Sequence, residues 1–184
     1  MAAAPRAWAA DLLHYWFHQL RPADWFRPRP QIDGELRRRY ARWLRALRLR
    51  SAGEFLTDPQ TARAAVLLFD QVPRNIHRSS PSAFATDSLA RTIAKASLAR
   101  GWDSGLDVPG RQFLAMPLMH SEAIADQRAG VAYFADLGSP EILAFARSHH
   151  RMIARFGRFP HRNDVLARPA TAAERAAVAA GFAW

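Results

Sequence analysis

Asp58-Pro59-Gln60-Thr61-Ala62-Arg63-Ala64-Ala65-Val66-Leu67-Leu68-Phe69-Asp70-Gln71-Val72-Pro73 decides the fold. Aspartate followed by proline is a helix start, because the carboxylate can accept orphan amide protons and proline suits the first turn. Val66-Leu67-Leu68-Phe69 is apolar all round, which predicts the most buried helix of the chain, running from Ala62 to Val72. Pro73 is expected to end it.

Helix signals repeat on either side. Upstream, Trp8, Leu12, Leu13, Tyr15, Trp16 and Leu20 form a stripe that Pro22 is expected to close. Between Ile32 and Leu49, Leu36, Tyr40, Trp43, Leu44 and Leu47 recur at helical spacing. Arg38, Arg42 and Arg45 lie opposite, so this is an amphipathic helix with a basic back. Downstream, Thr86-Asp87-Ser88 opens a helix that Gly101 stops, and Gly105 to Gly110 reads as a loop. Arg111 to Met116 is helical, interrupted at Pro117, and His120 or Ser121 starts the next helix, to Leu137. Ser139-Pro140-Glu141 starts another, to about Phe156. Gly157 to Arg168 is a loop. Thr171-Ala172-Ala173-Glu174 matches a capping box, and Gly181 closes the last helix. Alternating β-branched runs and hairpin turns are absent. The reading is all-α: about seven or eight short-linked helices, stacked as antiparallel pairs, in one domain spanning 1–184.

Composition narrows the function classes. The chain has 184 residues, a formal charge of +10 and no cysteine. That excludes disulfides, thiolate metal sites and cysteine nucleophiles. No apolar run reaches the roughly 20 residues of a membrane span, and Met1 to Ala10 lacks a secretory signal's apolar core. A bacterial, cytoplasmic protein without membrane contact is expected. The basic excess favours an anionic partner. No phosphate-binding glycine loop, nucleophile elbow or Walker lysine is present, and no cofactor is expected.

Four places put polar groups where the pattern expects apolar ones. Asp70 follows directly on the buried stretch, with Arg74 one turn later to pair with it and Asn75 beside that. His120, Glu122 and Asp126 follow Pro117. Ser121 as N-cap and Glu122 in the first turn satisfy ordinary capping, but His120 has no such explanation. His149 falls inside the apolar stripe Ile142, Ala146, Ile153 and Phe156, where a histidine ordinarily bonds a carbonyl or carboxylate. Last, Arg155 to Asn163 interleaves arginine with phenylalanine and includes Arg158, His161 and Arg162. That pattern can stack on single-stranded nucleic acid. It equally describes a loop nailed down by Phe156 and Phe159, its arginines paired elsewhere.

Leu68-Phe69-Asp70-Gln71-Val72-Pro73-Arg74-Asn75, Ala83-Phe84-Ala85-Thr86-Asp87, Met116-Pro117-Leu118-Met119-His120-Ser121-Glu122 and Arg155-Phe156-Gly157-Arg158-Phe159-Pro160-His161-Arg162-Asn163 occur in this order. Together they resemble the bacterial domain-of-unknown-function family nine-two-four. The resemblance implies an all-helical, tetratricopeptide-like superhelical fold and no established activity. Departures from the family pattern are Val72 for phenylalanine, Ala123 for an acid, and Ala167-Arg168 for Gly-Arg. The lost acid at Ala123 weakens any dense carboxylate metal site, and no metal is expected.

The four blocks are expected to converge into one polar cleft of Asp70, Arg74, Asn75, His120, Glu122, Asp126, His149, Arg158, His161 and Arg162. The leading expectation is a binding module for an anionic small molecule or acidic peptide. A hydrolase-type enzyme using Asp70, His120, Glu122 and His149 in acid–base or metal chemistry in the same cleft is the second reading. The third is nucleic-acid binding through the basic face of residues 37–48. Neither the ligand nor the oligomeric state follows from the sequence.

Overall fold

The computed structural model of the chain describes residues 6–182. Residues 1–5, which carry half of the N-terminal reading above, lie outside them. The described residues are all helix and connection, with no strand. No helix among them is long and apolar enough to cross a membrane. Eight helices have eight residues or more: α1 (Ala7–His14), α3 (Pro30–Leu47), α4 (Pro59–Val66), α6 (Asp87–Ala99), α7 (Val108–Met119), α8 (Ile124–Asp136), α9 (Pro140–Phe156) and α10 (Ala172–Ala179). Two shorter ones are α2 (Pro22–Trp25) and α5 (Val72–Ile76). The chain divides into two compact units, residues 1–105 and 106–184.

In the first unit α4 is the centre. Asp58 caps it by accepting from the Thr61 amide at 2.8 Å, and every residue from Ala64 to Val72 is buried. α1 and α6 both pack on α4, and α3 packs on α5. Pro22 opens α2 rather than merely closing α1, which runs on through a wide π turn, Tyr15–Gln19.

Pro73 does not end the buried helix. The chain widens into a second π turn, Leu67–Gln71, in which the Val72 amide donates to the Leu67 carbonyl, and continues as α5 with Pro73 inside it. A proline in a helix normally deprives the carbonyl four residues back of its donor. Here that carbonyl belongs to Phe69, and the Thr86 hydroxyl donates to it at 2.6 Å. The defect is therefore satisfied from 17 residues away, and a buried carbonyl is not left bare.

In the second unit α8 packs on both α7 and α9. Pro117 does not interrupt α7, which runs to Met119. The expected loop at Gly105 to Gly110 is shorter, because Asp107 caps α7 by accepting from the Gly110 amide at 2.9 Å. α8 begins at Ile124, three residues later than Ser121. The Gln127 amide instead closes the end of α7, donating to the carbonyls of Met119 at 2.6 Å and Ser121 at 2.7 Å. Gly130 sets the α7–α8 spacing: a Cβ there would lie 3.3 Å from the Leu118 Cβ. At the end of α9, Gly157 turns the chain at φ +69°, a left-handed conformation that suits glycine.

Ala167 also sits at positive φ, +51°. A side chain costs about 1–2 kcal/mol there. Ala167→Gly is expected to stabilise the protein, by about 0.5–1 kcal/mol after glycine's greater loss of chain entropy. Urea unfolding of the two proteins measures this directly. An unchanged or lowered midpoint would contradict it.

Candidate functional site

The ten sequence-chosen residues fall into both units. Asp70, Arg74 and Asn75 belong to residues 1–105, and the other seven to residues 106–184.

Asp70 projects from the π turn and is 1% exposed. A charge buried so deeply must be paired. Gln71 donates to its Oδ2 at 2.6 Å, and Arg74 Nη1 lies 3.2 Å from its Oδ1. The same guanidinium grips Asp87 with both nitrogens, at 2.8 and 2.9 Å, and donates to the Asp70 carbonyl at 2.6 Å. Burial works against the Arg74 charge, but Asp70 and Asp87 outweigh it and hold its pKa above the ordinary arginine value. Asn75 donates to the Gln71 carbonyl at 2.9 Å and accepts from Arg78, which also clamps Asp33. These side chains all close backbone or charge demands created by the wide turn.

In the second unit the polar groups gather where the link after α7 meets the loop after α9. Glu122 lies in that link, ahead of α8, and not in the helix's first turn. Its Oε1 accepts from the Phe159 amide at 2.8 Å, and its two oxygens take a bidentate grip from Arg168, at 2.9 and 3.1 Å. Arg168 also donates to the Phe159 carbonyl and to Asn163. Burial opposes the Glu122 charge, yet Arg168 and the Phe159 amide hold its carboxyl below the usual range. Asp126 is buried on α8 and accepts from the Ser121 hydroxyl at 2.8 Å. Arg158 is bidentate to Glu174 at 2.6 and 3.0 Å, tying the loop to the capping box of α10.

Phe159, wholly buried, is the hub of the rest. The His149 ring lies 5.5 Å from its ring and the His161 ring 5.6 Å, centroid to centroid. The Arg162 guanidinium sits 4.5 Å over its face. His120 is 6.3 Å from His149, and its carbonyl accepts from Arg162. His149 is 6% exposed, and its Nδ1 lies 2.9 Å from the Phe145 carbonyl. A carbonyl only accepts, so Nδ1 carries the proton, and the neutral ring keeps its lone pair on Nε2. Burial, with His120 next, pushes His149 down to about 3. Burial, then Arg162 and His120, pushes His161 down to about 4. Both rings are therefore neutral at pH 7, and the expected set of spare cations shrinks. Arg74, Arg158 and Arg168 pair with carboxylates, and Arg162, which faces the imidazoles, donates to the His120 carbonyl at 3.2 Å. Among the described residues, no three His, Asp or Glu side chains stand so as to hold a metal ion.

The sequence did not single out Arg168, Asn163, Thr86, Asp87 or Glu174 as partners. Arg168 is 46 residues from Glu122 and Thr86 is 17 from Phe69, so no local spacing marks them. The one available signal is that three of these five, Thr86, Asp87 and Asn163, lie in the motif blocks.

Fold and site together define an all-helical protein whose polar blocks sit at helix ends and links. The chain belongs to the family described as bacterial protein of unknown function (DUF924), whose model matches residues 12–181. The resemblance drawn from the four blocks is thus borne out. The chain is also similar to the protein of unknown function ATU0120 from Agrobacterium tumefaciens. That structure is 34% identical, with a TM-score of 0.88 over 94% of this chain and 97% of the other. No curated protein matches the chain.

Two stability outcomes follow from the geometry. Arg74→Ala strands a buried carboxylate and is expected to cost about 3–5 kcal/mol, more than Asp70→Asn. Equal or smaller losses in urea titrations would rule out that ranking. For the histidines, folded pKa values below the unfolded value mean that the unfolded chain binds more protons as pH falls. Stability is then full above about pH 6.5 and is lost toward 4 for His161 and 3 for His149, by roughly 1–3 kcal/mol per pH unit. Carboxylates act only below about pH 4.5. His149→Gln should therefore make the pH 6.5–4.5 limb shallower while leaving the His161 share, and a wild-type curve already flat there would refute the assignment.

Proposed function

We propose that the protein is a non-catalytic binding module whose ligand contacts come from the cluster around Phe159, with a small carboxylate-bearing molecule or acidic peptide as its ligand. The observation that carries this is the gathering of three imidazoles and the Arg162 guanidinium on one aromatic hub. His120 and His161 are half-buried at its edge, while His149 and Arg162 are buried beneath. The neutral His161 ring supplies polar nitrogens without charge and Arg162 a positive charge, while the Nδ1 proton of His149 goes to the Phe145 carbonyl. Such a set matches a monoanionic, planar carboxylate better than a multiply charged phosphate. Glu122, Asp126 and Arg158 act in this reading by fixing the link and the loop that carry the donors. Asp70, Arg74 and Asn75 hold the wide turn. A tetratricopeptide-like stacking of the helices, and a cytoplasmic setting for such a module, belong to the same proposal.

An enzyme is the second reading, and His149 is what favours it: its tautomer is fixed, with the proton on Nδ1 and the lone pair on Nε2. A pKa of about 3 makes Nε2 a weak base at neutral pH, so binding ranks first. Nucleic-acid contact through residues 37–48 concerns side chains of the first unit and does not draw on this cluster.

Thermal shift with acetate, citrate, inorganic phosphate and an acidic peptide provides the test. A carboxylate present at a hundred times its Kd adds about 2.7 kcal/mol. It should raise Tm in the wild type and not in Arg162→Met or His161→Gln. Failure of every carboxylate to shift Tm, or a shift that survives both substitutions, would sink the proposal.

A further inference from the structure

The charge of the chain is unevenly placed. Seventeen of its twenty-six basic residues but only nine of its sixteen acids lie in residues 1–105. Eight of the ten surplus positive charges thus belong to the first unit. Residues 37–50 hold seven arginines and no acid.

Several of these arginines are occupied. Arg37 donates to the Ile76 carbonyl, Arg38 and Arg39 pair with Glu35, and Arg42 lies over the Trp43 ring at 5.0 Å. Arg45, Arg48 and Arg50 are exposed and make no ion pair or hydrogen bond through their side chains among the described residues. Arg48 and Arg50 line an open depression of about 430 Å³, with Ser88 and Thr92 from the first turns of α6 on its other side. Thr92 gives its hydroxyl proton to the Ser88 carbonyl, so its oxygen remains an acceptor only. Asp87, the acid of that helix start, is spent on Arg74 and does not neutralise the two arginines.

From Arg38 to Arg48 the ridge extends about 15 Å along the helix axis. This spans roughly four base-pair steps at 3.4 Å each. Leu49, 86% exposed, is the single large apolar group on it. One leucine is too little to enter a bilayer, and the ridge presents no exposed aromatic ring on which unpaired bases would stack.

We propose that the arginine ridge of residues 37–50 binds the phosphate backbone of double-stranded nucleic acid without reading its sequence. The depression beside Arg48 and Arg50 seats one phosphate. The contact is electrostatic, so arginine and lysine serve alike and salt competes directly.

Fluorescence anisotropy with the full chain and a labelled 20-base-pair duplex tests this. With three to five phosphates neutralised, log K should fall against log salt with a slope of about −3 to −4, on the order of a hundredfold between 50 and 200 mM. Arg45→Glu/Arg48→Glu/Arg50→Glu should bind at least tenfold more weakly at 50 mM salt with Tm preserved. The corresponding lysine triple should bind nearly as the wild type does. Arg147→Glu/Arg151→Glu, exposed positions on α9, should leave binding within twofold. The proposal is overturned by no duplex binding at 50 mM salt, a flat salt response, or equal loss in the α9 variant. It is overturned too if the single strand, anionic phosphatidylserine vesicles or inorganic phosphate alone bind as tightly as the duplex.

Discussion

The Phe69 carbonyl is buried in the middle of the most apolar stretch of the chain, and Pro73 deprives it of its ordinary donor. An unsatisfied carbonyl there would cost a few kcal/mol. The Thr86 hydroxyl removes that cost, and in doing so fixes where α6 begins relative to α4 and α5. Around this bond the other polar groups of the first unit fall into order. Asp70 leaves the helix at the widened turn. Arg74 then reaches both Asp70 and Asp87, and Asn75 caps the Gln71 carbonyl. The cluster reads as one solution to a single backbone problem.

The second unit solves a similar problem with a carboxylate. The loop after α9 carries five of the chain's aromatic and basic side chains in a short span, and has little regular structure to hold it. Glu122 accepts the Phe159 amide and Arg168 grips both Glu122 and the Phe159 carbonyl. That arrangement drives Phe159 into the core and brings the imidazoles to its edges. Desolvation then keeps His149 and His161 neutral, which replaces part of an expected cationic cleft with uncharged rings beside the Arg162 guanidinium.

Local chemistry was legible in the sequence, and compensation at a distance was not. Asp58, Ser139 and the Thr171–Glu174 box all cap as their spacing implies, because a cap involves only the next three residues. His149 is a buried residue bonded to a carbonyl, as its place in the apolar stripe suggested. Pro73 reads locally as a helix end and Pro117 as an interruption, because proline's local cost is visible in the sequence while a compensating donor such as Thr86 is not. Ser121 looked like the cap of α8, yet its hydroxyl serves Asp126 and the helix starts later. Glu122 suits the helix dipole by its spacing, yet its partner is an arginine 46 residues on. The motif blocks marked the right neighbourhoods, but the pairings inside them depend on the tertiary structure.

The wide turn at Leu67–Gln71 amounts to one extra residue in a helix. Such an insertion is mobile in principle, shifting a step whenever one amide exchanges its carbonyl for the next. Pro73 has no amide to exchange, and Thr86 already occupies the carbonyl that a shift would have to use. The extra residue is therefore parked, with Asp70 held toward Gln71 and Arg74. A proline that looked like a terminator acts instead as a register lock.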